Sequence, residues 1–289
     1  MPTIGRIQPN NFFALRLDGK DVTILKQVEG GAISAEVQRT PGGRQHYLKK
    51  HIGKPFVEDF SIQVGWTLSQ ALFDWIAASW TRNPRKSDGA ILACDHNLAI
   101  QTERAFSNAL ISETSFPALD AASKEPATLT VRFSPETITP KQGTGKLTLS
   151  SLGKQKLWQT SNFRLEIEGL ETGKVKAIDS FSIKRPSGPE PAKIDFPDLK
   201  ISIAEPLAQS WIDWHADFVV KGNHEDKHEK NGKILFLAPD LKTQLARVEL
   251  HNLGIFRLST ESGEGSQAGL IKAELYCEWM EFQLGKAAS

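Results

Sequence analysis

Two cysteines in 289 residues, no long apolar run and no excess of either charge remove several classes of protein before any motif is read. Cys94 and Cys277 lie in apolar, strand-like runs in different halves, and no Cys-x-x-Cys pair occurs. A disulfide scaffold and a thiolate zinc module are therefore out of prospect, and both residues read as small buried hydrophobes. No stretch approaches the roughly 20 apolar residues that span a bilayer. The opening residues Met1-Pro2-Thr3-Ile4-Gly5-Arg6 lack the apolar core of a secretory signal, so the expected compartment is a reducing cytoplasm. With 35 basic and 34 acidic side chains the formal charge is +1, and no global field draws the chain to nucleic acid or membrane. No Gly-x-Ser-x-Gly elbow occurs, and Gly42-Gly43 lacks the strand-then-helix setting of a phosphate loop. An apolar fraction of 39% is that of a folded chain.

What is present is a duplication, the feature that most affects the reading of a fold. Asn11-Phe12-Phe13-Ala14-Leu15-Arg16-Leu17-Asp18-Gly19 returns as Asn162-Phe163-Arg164-Leu165-Glu166-Ile167-Glu168-Gly169. Phe60 to Trp75 matches Leu199 to Trp214 without a gap, carrying Leu68, Leu72 and Asp74-Trp75 onto Leu207, Trp211 and Asp213-Trp214. Asp88-Gly89-Ala90-Ile91-Leu92 returns as Asn231-Gly232-Lys233-Ile234-Leu235. The expected division is a first domain over 1–138, a linker over 139–157 rich in Pro, Gly, Ser, Thr and Lys, and a second domain over 158–289. Leu147, Leu149 and Leu152 alternate within that linker, so part of it could pack as an extra strand.

Each half reads as mainly β with one helix. In the first, strands are expected at Phe12–Leu17 and Val22–Leu25 around an Asp18-Gly19 turn, then at Ala32–Val37, Phe60–Val64, Ala90–Cys94, Leu98–Asn108 and Ala127–Phe133. The second repeats the order with Phe163–Ile167, Val175–Ile183, Leu199–Ile203, Lys233–Leu237, Gln244–Leu250 and Ile271–Trp279. Helical spacing places Leu68, Leu72, Trp75 and Ile76 on one stripe of a helix over 68–80, with Phe73 and Trp80 on a second face. The second helix follows Glu205-Pro206, proline suiting the first helical position, with the stripe Leu207, Trp211, Trp214, Phe218. Between strand and helix the first half inserts a basic stretch, Gln38 to His51, that reads as a long projecting arm. The second half is shorter there and substitutes a proline-stiffened connection beginning at Arg185-Pro186.

This ordered series, appearing twice over roughly 9–138 and 158–284, resembles the tail tube proteins of contractile phages and of contractile injection systems. The resemblance implies two tandem β-barrel or β-sandwich domains, each flanked by a helix, in a non-enzymatic structural component that forms a ring around a lumen. Its partners would be further copies of the chain, in a trimeric pseudo-six-fold or a hexameric ring, and neighbouring tube, spike or baseplate proteins. The chain would assemble in the cytoplasm into a phage tail or injection particle, as tube, tube-adaptor or baseplate hub. Unequal upper and lower faces would limit indefinite stacking. The candidate subunit-interface residues are Arg39, Arg44, Tyr47, Lys49 and Lys50 of the arm and Trp75, Trp80, Trp211, Trp214 and Phe218 of the helices. The tryptophans serve equally as core.

No catalytic, cofactor or metal residue is assigned. The rival reading is a zinc-dependent hydrolase using His224-Glu225-Asp226-Lys227-His228, which matches H-E-x-x-H; on a helix the two histidines would share a face. Glu249 or His215 would have to supply a third ligand. The flanking Lys221-Gly222-Asn223 and Glu229-Lys230-Asn231-Gly232 are wholly polar, which favours a solvated loop. Asp74 and Asp213 sit on helices of different halves, so solvation or an inter-subunit salt bridge is preferred to catalysis. The arm residues Arg39 to Lys54 carry only two interleaved aromatics, Tyr47 and Phe56. Subunit contact or lumen lining is therefore favoured over a specific nucleic-acid site.

Overall fold

A computed structural model describes residues 12–43, 46–65, 69–148, 158–186, 193–261 and 269–285. Asn11, Arg44, Leu68, Leu149 and Leu152, with 149–157 of the expected linker and most of the proline-rich connection, lie outside these. The first half runs β1 (Phe12–Leu17), β2 (Lys20–Gly30), β3 (Ile33–Pro41), β4 (Leu48–Val57), β5 (Phe60–Val64), α1 (Gln70–Ser79), β6 (Ser87–Cys94), β7 (Ile100–Phe116), β8 (Leu119–Asp120), β9 (Leu129–Ser134) and β10 (Thr137–Gln142). The second runs β11 (Phe163–Ile167), β12 (Val175–Ile178), β13 (Phe181–Lys184), β14 (Leu199–Ala204), α2 (Gln209–His215), β15 (Lys230–Leu237), β16 (Gln244–Glu261) and β17 (Leu270–Leu284). The chain is mainly β, with one α-helix in each half.

The first half closes. Hydrogen bonding passes β7–β6–β1–β2–β5–β9 and returns from β9 to β7, making a six-stranded barrel. Closure is prepared at the first hairpin, where Asp18 and Gly19 both take positive φ, the geometry of a primed turn matched to strand twist. Leu15, Phe60, Ile62, Val64, Leu129, Val131 and Phe133 point inward, as period-2 alternation requires. Trp75 fills the end of this core beneath α1, and its indole N–H donates to the Arg85 carbonyl at 3.0 Å.

The second half stays open. Its sheet runs β11-β15-β16-β17-β14-β12-β8, and among the described residues β11 and β12 do not pair. The cause is local. Where β2 has Lys20-Asp21-Val22-Thr23-Ile24, the second half has Leu170-Glu171-Thr172-Gly173-Lys174, poorer in β-branched residues and carrying a glycine that weakens a strand. Here the Glu171 carbonyl accepts from the Trp211 indole at 2.9 Å and its N–H donates to Ser210 Oγ at 2.9 Å. Helix α2 thus takes the backbone groups a strand would have used. The expected continuous strand Val175–Ile183 is accordingly two strands in two different sheets.

Those two strands interlock the halves. β12 accepts β8 of the first half through Ala177↔Asp120 and Ile178↔Leu119. β13 crosses to pair with β7 through Phe181↔Phe116, Ser182↔Ser115, Ile183↔Thr114 and Lys184↔Glu113. Most buried apolar side chains of both halves form one continuous cluster. At its centre Phe116 stacks on Phe181 and Phe236, with ring centroids 4.8 and 5.4 Å apart, and meets Trp80 and Phe282 edge-on. Arg185, just past β13, donates to the Ser79 and Thr81 carbonyls at the C-terminal end of α1, where a cation is electrostatically favoured.

Strand register shows how deep the duplication goes. Gly89 faces Leu17 as Gly232 faces Ile167, and a Cβ at either glycine would lie 2.3 Å from the Arg16 carbonyl or 2.6 Å from that of Glu166. Only glycine admits so close a backbone approach. Asn108 and Asn252, at matching places in β7 and β16, both have positive φ, a conformation asparagine tolerates. Bulges recur as well: the shift between Leu25 and Gln27 against β5 is repeated between Val175 and Ala177 against β14. The same register corrects the expected alignment. Phe163 takes the place of Phe13, not Phe12, so the Asn-Phe dipeptides do not superpose. Phe60 still matches Leu199, each pairing with the equivalent strand, so the stretch missing from the second half is one position shorter than the sequence match implies.

The outer elements differ from expectation in extent. β16 spans 18 residues and β17 spans 15, because β17 fuses the counterparts of β9 and β10 into one strand. Pro206 lies in a 3-10 turn (Glu205–Leu207), and the α-helix begins only at Gln209, then ends in a π turn over Ala216–Val220. β10 runs from the end of the expected first domain into the expected linker, on the edge of β7, and within that linker Leu147 is buried against Ala14, Ala90 and Leu92.

Candidate assembly surface

The arm is a two-stranded ribbon, β3 on β4, pairing with no third strand among the described residues. It exposes Ile33, Val37, Tyr47, Leu48, Ile52 (80% exposed) and Phe56. A two-stranded hairpin is marginal in water by itself, and clustered apolar exposure marks an interaction site. Charge sharpens the point. Arg39 lies directly opposite Lys50, so like charges face each other across the ribbon. An acidic or apolar partner would relieve both defects. Of the expected arm residues, Arg39, Tyr47, Lys49 and Lys50 are exposed here, while Arg44 lies outside the described residues. The sequence had marked this stretch for its polarity; its exposed apolar side chains are the stronger signal of a partner.

The helix residues behave differently. Trp75, Trp80, Trp211, Trp214 and Phe218 are all buried within the chain's own core. Helices that cap barrel ends turn their wide apolar stripes inward, so these five side chains offer another subunit no surface. Trp80 packs at 5.3 Å on Phe282 of the opposite half, serving the junction between halves. What α2 and its π turn present outward is Ile212, Val219 and Val220. Asp74 and Asp213 accept hydrogen bonds from Gln70 and Gln209 one turn back, at 2.7 and 2.8 Å, the same i,i+4 pair in both helices.

The His224–His228 segment is not an α-helix. Glu225 is extended, Asp226–His228 makes one 3-10 turn, and Glu225 pairs with Lys227 at 2.6 Å. The helical face that would bring two histidines onto one metal is therefore not formed. Glu249, the possible third ligand, is held by Arg247 at 2.5 Å. Among the described residues no three His, Cys, Asp or Glu side chains converge on a common point. A groove of about 520 Å³ lies along the seam of the halves, lined by Trp80, Arg82, Lys193, Phe196, Glu278 and Trp279.

Burial raises the Cys277 thiol to about 12, only partly offset by hydrogen bonding with the His251 and Trp279 backbone, and raises that of Cys94 as well. Desolvation, then the hydrogen bond to Glu229 at 2.6 Å, pushes the Tyr276 phenol up. Burial is the first cause of all three shifts. The sequence missed the strand exchange between β13 and β7. Its available signal was the Phe181, Ile183 alternation directly after the turn that ends β12.

No protein-family model matches the sequence, and no curated protein matches it. Among solved structures the chain is similar to one from the sheath–tube complex of an extracellular contractile injection system (PVC), at 18% identity over 48% of this chain and 94% of that one, with a TM-score of 0.41. It is similar to a chain of the anti-feeding prophage baseplate at 14% identity over 49% and 98%, with a TM-score of 0.42. It is also similar to Hcp1 from Flavobacterium johnsoniae at 20% identity over 47% and 98%, with a TM-score of 0.33.

Proposed function

We propose that the chain is a non-enzymatic structural part of a phage tail or contractile injection particle, in which copies join edge to edge into a closed ring around a lumen. The observation that carries this reading is the unpartnered β3–β4 ribbon beside a duplicated barrel: a marginal, apolar, like-charged hairpin is retained where a neighbour completes it. The kind of particle rests on the ordered series of sequence features that resembles tail tube proteins. Two barrel-like halves per chain favour three chains in a pseudo-six-fold ring. The unequal halves suit an adaptor or hub position between tube and spike or baseplate, because a ring with unlike faces does not stack on itself without limit.

Light scattering of the purified chain tests this. The intact protein should give a mass of several chains at high concentration. A variant with 32–56 replaced by a short Gly-Ser turn should remain a single chain with its melting temperature little changed. If the intact protein stays a single chain at every concentration, the ring is wrong.

A further inference from the structure

The contact that joins the two halves of one chain has a counterpart with only one side filled. In the first half, β7 carries β13 along Glu113–Phe116. The counterpart of β7 is β16, and the two share their irregularities: a register shift between Ile111 and Glu113 against β9 matches one between Ile255 and Arg257 against β17. Glu113, Thr114 and Ser115 therefore correspond to Arg257, Leu258 and Ser259. On the side that β13 takes in the first half, β15 pairs with β16 only as far as Leu253, and beyond it this edge of β16 is unpaired among the described residues.

The counterpart of β13 is the root of the arm. The register that sets Phe163 on Phe13 also carries Ser182, Ile183 and Lys184 onto Ala32, Ile33 and Ser34. An independent pairing agrees with it: Lys184 bridges Asp195 just as Ser34 pairs with Phe56. In both places that neighbour occupies one edge of the strand. The other edge is given to β7 by β13 and is free in β3.

We propose that the arm root of one copy, Gly31–Ser34, adds as an antiparallel strand to the Arg257–Thr260 edge of the next copy. The contact between chains then repeats the contact within each chain. Side chains support the match. Ile183 is 3% exposed in its docked place, whereas Ile33 is 54% exposed and would land on the half-buried Leu258. The charge on the edge changes sign. Within the chain, Lys184 on the incoming strand meets Glu113 on the edge at 3.6 Å. Between chains, the edge carries Arg257 and the incoming root carries Glu58, held at 2.5 Å by the Ser34 hydroxyl. Glu274, which Arg257 now contacts at 3.0 Å, stays on the same side of the new pair. Strand and edge are different surfaces of one chain, so the contact is heterologous and closes a ring when the rotation per copy allows.

This inference rests on the assembly reading above, and disulfide trapping separates the two. Ser182 and Ser115 hydroxyls lie 2.7 Å apart in the internal junction, so S115C/S182C should oxidise within a single chain and shows that paired cysteines leave the fold intact. Their counterparts are Ala32 and Ser259, and A32C/S259C should give a ladder of covalent multimers under mild oxidation. I33C/S259C places the thiols on opposite sheet faces and should give at least tenfold less. Cys94 and Cys277 are buried and add no background. Multimers in light scattering with no ladder above the opposite-face control overturn this contact and leave the ring standing. A single chain in light scattering with no ladder overturns both.

Discussion

The two halves began from one plan and differ at one strand. In the first, the segment after β2 leaves the barrel and becomes the arm; in the second, its counterpart β13 lies down on the neighbouring half, with Phe181 and Ile183 buried. The first barrel is closed and its arm is free. The second is open and its arm is docked. The difference follows from a few residues: a glycine at 173 and the grip of α2 on Glu171 prevent closure, and Phe181 replaces the position held by Gly31 in the first half. A strand edge is a pairing surface wherever it is exposed. The chain fills one such edge from within and leaves the equivalent one open.

Substitutions can separate what the halves share from what they do not. The largest effect is expected at Phe116, which contacts aromatic rings from both halves. Phe116→Ala should cost about 3–5 kcal/mol, with urea unfolding still a single transition; two separate transitions would show that the halves are independent bodies. Next come the paired glycines. Gly89→Ala and Gly232→Ala both drive a Cβ into a backbone carbonyl, and about 1–3 kcal/mol is expected for each. The closed barrel cannot spread to relieve the clash, so Gly89→Ala should be the worse. An equal or reversed order in chemical denaturation would show that the opening between β11 and β12 provides no relief.

The smallest effect is in pH dependence. Cys277 has its folded value raised from 9.0 to about 12. The neutral thiol is the form the core accepts, so its contribution to stability is complete below pH 9 and is lost as pH rises toward 12. Thiol titration at pH 8.5 should find Cys277 unreactive in the folded chain and reactive in denaturant; ready reaction in the folded state would place it nearer the surface than its burial indicates.

Much of this architecture was legible in residues. Alternation at Phe60, Ile62 and Val64, the Asp18-Gly19 turn, and the Asp88-Gly89 and Asn231-Gly232 repeats locate strands and turns where they lie, because side-chain period and positive φ are local properties. Strand partners are not local. Val175–Ile183 reads as one strand in sequence, and only the competing demands of β14, β8 and β7 divide it. The helix tryptophans posed the same difficulty: a wide apolar stripe says that a helix is covered, and its covering turns out to be both halves of the same chain. Of the expected interface, the arm remains outward and the five helix aromatics do not.

Negative-stain microscopy of the purified chain addresses the ring most directly. Closed rings with three-fold symmetry and six evenly spaced lobes, two per chain, are expected, and they should vanish when 32–56 is removed. Solitary two-lobed particles at every concentration, or rings that persist without the arm, would contradict it.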